Sequence, residues 1–212
     1  MAEAATSQAS ASSASSEMLA LGIVGDSHRD RLLLAMAEAI REQGFQRTTV
    51  ADVVARARTS RRTFYQHFED RESCYLALFQ VVNERVLQVI AESATGEGPW
   101  TERIDRTLAA YLGVLASEPE LTRSYVQDLP AMGTAGAAQA RQVVDRASRQ
   151  LCRLVEEARE HDASIRPLSL EAATVITGGF RELTVLAMEQ GRELTELHEV
   201  ASDLVRRITM QS

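Results

Sequence analysis

The sequence predicts an all-α protein of about nine helices, in which a three-helix head is joined by a long helix to a helical body. Two observations lead to this fold class. Apolar side chains recur at spacings of three and four residues along most of the chain, as they do on one face of a helix. Capping residues, glycines and prolines divide these stretches into segments of helical length, and none of the segments is a convincing strand.

Residues 1–26 are predicted to form a disordered tail. Met1 to Ser16 are nearly all Ala, Ser, Thr, Gln and Glu, and so few large apolar groups cannot offset the entropy lost on ordering. The tail lacks the early positive charge of a secretory signal, and its apolar run from Met18 to Val24 is short and contains Gly22. No run approaches the roughly 18 apolar residues of a membrane span. We therefore expect a cytoplasmic protein without a membrane partner.

Residues 27–87 are predicted to form the head, which is a helix-turn-helix unit with a supporting first helix. That first helix runs from about Arg29 to Gly44, and Phe45 follows it into the core. The second helix begins at Thr49, because Thr49 and Asp52 have the spacing of a capping box, in which the hydroxyl and the carboxylate each accept a backbone N–H. Its apolar stripe consists of Val50, Val53, Val54 and Ala57.

The third helix is predicted to start after the N-cap hydroxyls of Thr59 and Ser60, with Phe64 and Phe68 four residues apart on its inward face. Its outward side chains can all donate hydrogen bonds and none is acidic, which suits contacts with phosphates and base edges. These are Arg61, Arg62, Thr63, Tyr65, Gln66 and His67.

The charge of this segment is opposite to that of the whole chain. Between Arg47 and His67 there are five arginines and one acidic residue, Asp52, whereas the whole chain has a net charge of −7. A local positive surface on an acidic protein is typical of a nucleic-acid binding site. The alternative is an ordinary helical hairpin with a solvated arginine face, which leaves the agreement of capping, core spacing and charge reversal unexplained.

Three short runs of the head have a specific spacing, namely Thr48-Thr49-Val50-x-x-Val53, Thr59-Ser60-x-x-Thr63-Phe64-Tyr65-x-His67-Phe68 and Asp70-Arg71-Glu72. Together they resemble the DNA-binding domain of the tetracycline-repressor (TetR) family of bacterial transcriptional regulators, over about Asp30 to Phe79. Two residues depart from the family pattern. Arg58 stands where glycine is frequent in the turn, so the turn must form without a permissive residue. Arg71 stands where lysine is usual, which keeps the charge.

The resemblance implies that this surface binds double-stranded operator DNA. Arg61, Arg62 and Thr63 are the expected contacts with base edges, while Tyr65 and His67 either contact phosphates or flank the core. The predicted DNA-binding residues are Arg47, Thr48, Thr49, Arg58, Thr59, Ser60, Arg61, Arg62, Thr63, Tyr65, His67 and Arg71.

Residues 88–212 are predicted to form the body. A fourth helix that starts after Asp70 carries an apolar seam as far as Ile90, and it is long enough to connect the head to the body. A break follows at Thr95 to Pro99, and a second one is expected from Pro130 to Gly136. The remaining helices are expected at about Thr101 to Ala116, Pro119 to Pro130, Ala137 to Glu160, Ser169 to Gln190 and Glu193 to Thr209.

The resemblance also implies a pocket in the body for a small-molecule effector, whose binding moves the fourth helix and changes the separation of two DNA-reading heads. The larger side chains are the candidates, and Trp100, just after a flexible turn, is the foremost. The sequence alone favours plain core for any single one of them. The predicted pocket residues are Phe79, Trp100, Tyr111, Tyr125, Met132 and Phe180.

A homodimer is expected, because a single recognition helix reads only a few base pairs. The last two helices carry apolar stripes that would form a four-helix bundle with a second copy, or that would pack within their own subunit. The predicted interface residues are Val175, Leu183, Leu186, Ala187, Leu197, Leu204 and Ile208. Gly178 and Gly179 interrupt the eighth helix, and either close approach of a partner or clearance for a ligand would account for them.

These observations favour a ligand-responsive regulator, a repressor in the simplest case, that is released from a pseudo-palindromic operator by its effector. The alternatives are an activator or a non-sensing architectural DNA-binding protein of the same fold. The chain lacks the phosphate-binding glycine loop, the zinc-protease motif and the serine-hydrolase motif, so we expect neither an enzyme nor a cofactor or metal. Cys74 and Cys152 are far apart in the sequence and are either plain buried thiols or a redox-sensing pair.

Overall fold

A computed structural model describes residues 22–23 and 25–210 of the chain. Within these residues the protein forms nine α-helices, two short 3-10 helices and an isolated antiparallel bridge between Ile165 and Met210. The predicted all-α fold class is therefore confirmed. Most of the tail predicted for residues 1–26 lies outside the described residues.

The helices divide between two compact units, with the division between Arg85 and Val86, inside the fourth helix. We call the unit that ends at Arg85 the head and the unit that begins at Val86 the body. The two 3-10 helices are Phe45–Arg47 and Leu194–Leu197. The α-helices are α1 His28–Gln43, α2 Val50–Arg56, α3 Arg61–His67, α4 Arg71–Ala94, α5 Trp100–Ser117, α6 Pro119–Ala131, α7 Gly133–Arg159, α8 Leu170–Glu189 and α9 His198–Thr209.

The head is built on a core of aliphatic and aromatic side chains from its four helices. The ring of Tyr75 lies between those of Phe45 and Phe79, at centroid distances of 4.2 Å and 4.6 Å. Ile23, which was assigned to the tail, is also buried. The other buried core residues of the head include Leu32, Leu33, Met36, Ile40, Val53, Phe64 and Leu78.

Phe79 therefore belongs to the core of the head, and its assignment to an effector pocket in the body is wrong. It is 2% exposed and stacks on Tyr75 one turn earlier in α4. The apolar seam of α4 continues from the head into the body, so its periodicity alone did not show which core each residue joins.

The body contains two apolar clusters. The larger one joins α5, α7, α8 and α9, and Trp100 is part of it, with its indole N–H donating to the hydroxyl of Thr209 at 3.0 Å. The smaller cluster joins α5 and α8 to the second 3-10 helix, through Leu112, Ala187, Leu194 and Leu197. Both clusters fix the positions of α5 and α8, between which the candidate effector cavity lies.

The break expected from Pro130 to Gly136 is much shorter in the structure. Met132 alone separates α6 from α7, so α7 begins at Gly133 and not at Ala137. A Cβ atom on Gly136 would lie 1.9 Å from the carbonyl oxygen of Leu129. Glycine is thus required at this position by the close approach of the two helices, and it does not mark a loop.

By length and composition alone, the fourth helix, α4, could cross a membrane. Among the described residues it is the one helix for which this holds. The expectation that no run approaches a span overlooked it. Core helices of soluble proteins often have the same length and composition. Tyr75, Leu78 and Phe79 of α4 are buried in the head, and Glu84 and Arg85 lie in the middle of the helix.

Candidate nucleic-acid interface

Two side-chain caps set the start of the helices that form the candidate interface. The Thr49 hydroxyl accepts the N–H of Asp52, and the Asp52 carboxylate accepts the N–H of Thr49 at 2.8 Å, which is the predicted capping box. The Thr49 hydrogen bonds hold the pKa of Asp52 below its usual value. Ser60 caps α3 by accepting the N–H of Thr63 at 3.1 Å. Arg61 and Arg62 are consequently placed in the first turn of α3.

The turn between α2 and α3 is made by Arg58 in a left-handed conformation, with a φ of +49°. The N–H of Arg58 donates to Ala55 O, and the N–H of Thr59 donates to Val54 O at 3.0 Å. A side chain other than glycine in this conformation costs on the order of 1–2 kcal/mol. The turn therefore forms without glycine, as expected, at some cost in backbone energy.

Phe64 and Phe68 hold α3 against the rest of the head. Phe64 is fully buried, and the two rings lie 5.6 Å apart between centroids. With this face inward, Arg61, Arg62 and the 58% exposed ring of Tyr65 point to solvent. Gln66 and His67 are exposed as well.

The exposed arginines around α3 have no carboxylate partners. Within the described residues Arg47, Arg58, Arg61 and Arg62 are all exposed, and none of them forms an ion pair. Arg56 differs, because its guanidinium pairs with Glu42. Four unneutralised guanidinium groups close to one short helix form a surface that attracts polyanions.

Three residues predicted to bind DNA use their hydroxyl groups inside the head. Thr48 is fully buried, and its hydroxyl donates to the carbonyl of Gly44 at 2.9 Å, so its side chain does not reach the surface. Thr49 and Ser60 are exposed, but their hydroxyl oxygens accept the backbone N–H groups of the helix caps. Thr59 is half-buried.

Arg71 is a further correction to the predicted DNA-binding residues. Its Nη1 donates to Thr48 O at 2.9 Å, its guanidinium lies 4.3 Å from the centroid of the Phe45 ring, and Nη2 contacts Glu72 at 2.7 Å. The side chain is only 25% exposed. Arg71 thus ties the start of α4 to the segment before α2. The sequence showed its charge but not the backbone carbonyl that holds it.

The body contains a small apolar cavity between α5, α8 and the segment that leads to α9. Its volume is about 10 Å³, which is about the space of one water molecule. Tyr111 and Phe180, both predicted, line it, while Leu108, Leu112, Leu183, Leu197 and Ala201 were missed as lining residues. Leu183 and Leu197 had been assigned to the dimer interface, because a leucine stripe looks the same in a core, an interface and a pocket.

The other predicted pocket residues lie elsewhere. Trp100 is in the larger apolar cluster, and Met132 is the junction between α6 and α7. Tyr125 is beside Tyr111, and burial raises the pKa of both phenols, that of Tyr111 to about 12. The proximity of Tyr125 raises the pKa of Tyr111 further, while a hydrogen bond with Thr184 lowers it.

The residues predicted for the dimer interface fall into two groups, one exposed and one packed inside the subunit. Val175, Leu186 and Leu204 are exposed, at 73%, 41% and 38%, although they are large and apolar. Val200, at 53%, belongs with them and was missed. Ala187 and Leu197 are buried within the subunit, Leu183 lines the cavity and Ile208 packs on the larger cluster. These four are therefore corrections, because they pack inside one subunit.

Comparison with known proteins gives a match to the family described as "Bacterial regulatory proteins, tetR family" over residues 32–78. The HTH-type transcriptional regulator TcmR of Streptomyces glaucescens is 30% identical over 71 residues, which are 34% of this chain and 31% of TcmR. The chain thus matches about a third of the length of that relative. The family match covers the part of the chain that contains the candidate interface.

Solved structures share the fold over a longer range. The fatty acid degradation regulator FadR of Bacillus halodurans superposes with a TM-score of 0.71 and 20% identity, covering 84% of this chain and 93% of that one. FadR of Bacillus subtilis in complex with stearoyl-CoA gives 0.68 and 16%, covering 82% and 95%. The reduced form of E. coli NemR gives 0.66 and 18%, covering 87% and 98%.

Proposed function

Because the chain belongs to the TetR family of bacterial regulatory proteins, we propose that it is a transcriptional repressor that binds a pseudo-palindromic operator as a homodimer and is released by a small-molecule effector. The observation that carries this proposal is the set of four exposed, unpaired arginines around a capped α3. We place its action in the cytoplasm, where the operator is. The family consists of regulators, and the proposal assigns no catalytic role to any residue.

Recognition of DNA is assigned to α3. Arg61 and Arg62 are exposed in its first turn, and arginine donates two hydrogen bonds to the O6 and N7 atoms of guanine in the major groove. Tyr65 and His67 are one turn later and exposed, where they can donate to phosphates. Arg47 and Arg58 flank the helix and add charge that is independent of sequence.

Dimerisation is assigned to the exposed apolar faces of α8 and α9. Among the described residues, the large apolar side chains that are exposed lie on these two helices, with the exception of Tyr65. Two helices from each subunit can bury such faces in a four-helix bundle around a two-fold axis. Two heads then read two half-sites of a palindrome.

Release is assigned to the cavity lined by Tyr111, Phe180 and Leu183. Ligand pockets usually have volumes of about 300–1,000 Å³, so this cavity must open to accept an effector. A small, apolar cavity beside two half-buried phenols is a suitable starting state, because a ligand that binds only the enlarged state shifts the equilibrium towards it.

The test is the double variant R61A/R62A, measured by retardation of a labelled operator. We expect specific binding to be lost, while the circular dichroism spectrum and the dimer remain unchanged. R141A/R153A is the matched control, since it removes the same charge from exposed positions of α7 and should retain wild-type retardation. Unchanged retardation by R61A/R62A would contradict the proposal.

The salt dependence of operator binding gives a second readout. Each lost phosphate contact lowers the slope of log K against log salt concentration by about 1. The wild-type protein should show a steep loss of affinity with salt. A flat titration would be inconsistent with a phosphate-binding surface.

The small size of the cavity favours a second candidate, a regulator of the same fold that does not sense a ligand, such as an architectural DNA-binding protein or a constitutive activator. A thermal-shift screen separates the two. If compounds that raise the melting temperature also release the operator, the protein is a sensor. If no tested compound releases the operator from the complex, the second candidate is favoured.

A further inference from the structure

Asp105 of α5 is contacted by two residues of α9 that are eight positions apart. Its carboxylate forms an ion pair with the guanidinium of Arg206, and its backbone carbonyl accepts a hydrogen bond of 2.9 Å from Nε2 of His198. Ser202 lies midway between these two residues and is 3% exposed. We call the face of α9 that carries these three residues the inner face. One residue of α5 therefore holds the inner face over about two turns of helix.

The opposite face of α9 carries part of the exposed apolar surface that is assigned to dimerisation. It contains Val200 and Leu204, which are 53% and 38% exposed. Each of them stands two residues after a position of the inner face, which is a rotation of about 200° around the helix. The direction in which Val200 and Leu204 point is thus set by the rotation of α9 about its own axis.

The apolar contacts of α9 define this rotation less sharply than its polar contacts. Ala201, Val205 and Ile208 pack in the larger cluster of the body. The hydrophobic effect is non-directional, so an aliphatic stripe can be buried at more than one rotation of its helix. A hydrogen bond depends on both distance and angle. Two polar contacts with the same residue of α5, made eight residues apart, exclude a rotated helix.

The polar contact is not arranged for the greatest stability. Oδ1 of Asp105, Nε of Arg206 and the hydroxyl of Ser202 are all buried, and none of them has a hydrogen-bond partner among the described residues. Desolvated polar atoms without partners reduce the net contribution of an ion pair to the free energy of unfolding. A pair of this kind can still favour one packing arrangement over others.

We propose that Asp105 is a positioning residue for the homodimer, which fixes the rotation of α9 so that Val200 and Leu204 face a second copy of the chain. The inference rests on the proposed homodimer and identifies what keeps its α9 surface in place. Asp105 acts through His198 and Arg206, so its effect does not require contact with the second copy.

The experiment measures the dissociation constant of the full-length homodimer by analytical ultracentrifugation, well below the melting temperature of each variant. Asp105→Ala and Arg206→Met should each raise the dissociation constant at least tenfold. The double variant should dimerise no more weakly than the weaker single variant, because both substitutions remove the same pair. If Asp105→Ala fails to fold, Asp105→Asn replaces it, since asparagine keeps the shape of the side chain and removes its charge.

Trp100→Phe is the control for a general weakening of the contact between α5 and α9. It deletes the indole N–H that donates to Thr209 at 3.0 Å and leaves Asp105 unchanged. The melting temperature should therefore fall, while the dissociation constant stays close to the wild-type value. Asp145→Ala removes an aspartate that pairs with Arg149 on α7, and it should change neither quantity.

The inference is overturned if Asp105→Ala, or Asp105→Asn in its place, forms a dimer of wild-type affinity. It is also overturned if Trp100→Phe weakens the dimer as much as the Asp105 variant does. A wild-type protein that stays monomeric at the highest concentration reached would refute the homodimer of the proposed function, and the inference with it. A wild-type dimer that is insensitive to substitution of Asp105 would refute the inference alone.

Discussion

The exposed arginines around α3 differ in their partners from Arg149 and Arg207 of the body. Around α3, Arg58, Arg61 and Arg62 are exposed and form no ion pair with any described residue. On α7 and α9, Arg149 and Arg207 each pair with an aspartate one turn earlier, at 2.9 Å and 2.7 Å. Exposed ion pairs contribute little to stability, so the pairing in the body mainly neutralises a solvated surface. The absence of ion pairs at Arg58, Arg61 and Arg62 leaves their charge available for a partner.

The largest expected effect comes from removing the anchor beneath the unpaired arginines without changing any arginine. Phe64→Ala deletes a fully buried ring and should destabilise the head by about 3–5 kcal/mol. We expect operator binding to fall with it at 25 °C, measured by retardation alongside thermal unfolding. Wild-type operator affinity in a variant with a destabilised head would show that charge alone, and not its placement, determines binding.

Arg71→Ala tests an arginine that was predicted to bind DNA but is engaged inside the head. Loss of its hydrogen bond to Thr48 O and of its contact with Phe45 should reduce stability by about 1–3 kcal/mol. The salt slope of operator binding should stay at the wild-type value, whereas Arg47→Ala should lower it by about 1. A reduced slope in the Arg71 variant would restore this residue to the DNA-binding surface.

Gly179→Ala separates the stability of one subunit from the association of two. A Cβ at this position meets nothing within the subunit, so alanine should stabilise α8 by about 0.5–1 kcal/mol. Gly179 lies one turn after Val175 on the exposed face, where a methyl group should push a second copy away and weaken the dimer. Analytical ultracentrifugation measures the association, and unchanged dimerisation would exclude close approach at this glycine.

The smallest effect is expected for Arg149→Ala on α7. Its pair with Asp145 is fully exposed and lies within one helix, so the melting temperature and the operator affinity should both stay within experimental error. A measurable loss of operator binding would mean that the paired arginines of the body also contribute to the interface, and the contrast with the head would fail.

The features that were predictable depend on residues three or four positions apart. The caps at Thr49 and Ser60 form as expected, because the hydroxyl and the N–H that it binds are close in sequence. The same is true of the inward pair Phe64 and Phe68. These local contacts define the helices of the head and therefore the exposed face of α3.

The features that were missed depend on contacts between distant residues. An apolar stripe shows that a helix face is buried but not what covers it. Phe79 was therefore assigned to the body although it packs in the head, and Leu197 to the dimer interface although it packs inside its own subunit. Arg71 was assigned to DNA because its partner is a backbone carbonyl, which no sequence pattern identifies. Gly136 was read as a break because the close approach of Leu129 is visible only in three dimensions.

The left-handed Arg58 limits how far this head can be made more robust. Glycine at this position would relax the backbone and raise tolerance to heat, but it would also delete a positive charge at the entrance to α3. Any attempt to engineer a more heat-resistant protein through this turn would therefore lower its affinity for a polyanion. The two properties would have to be selected together.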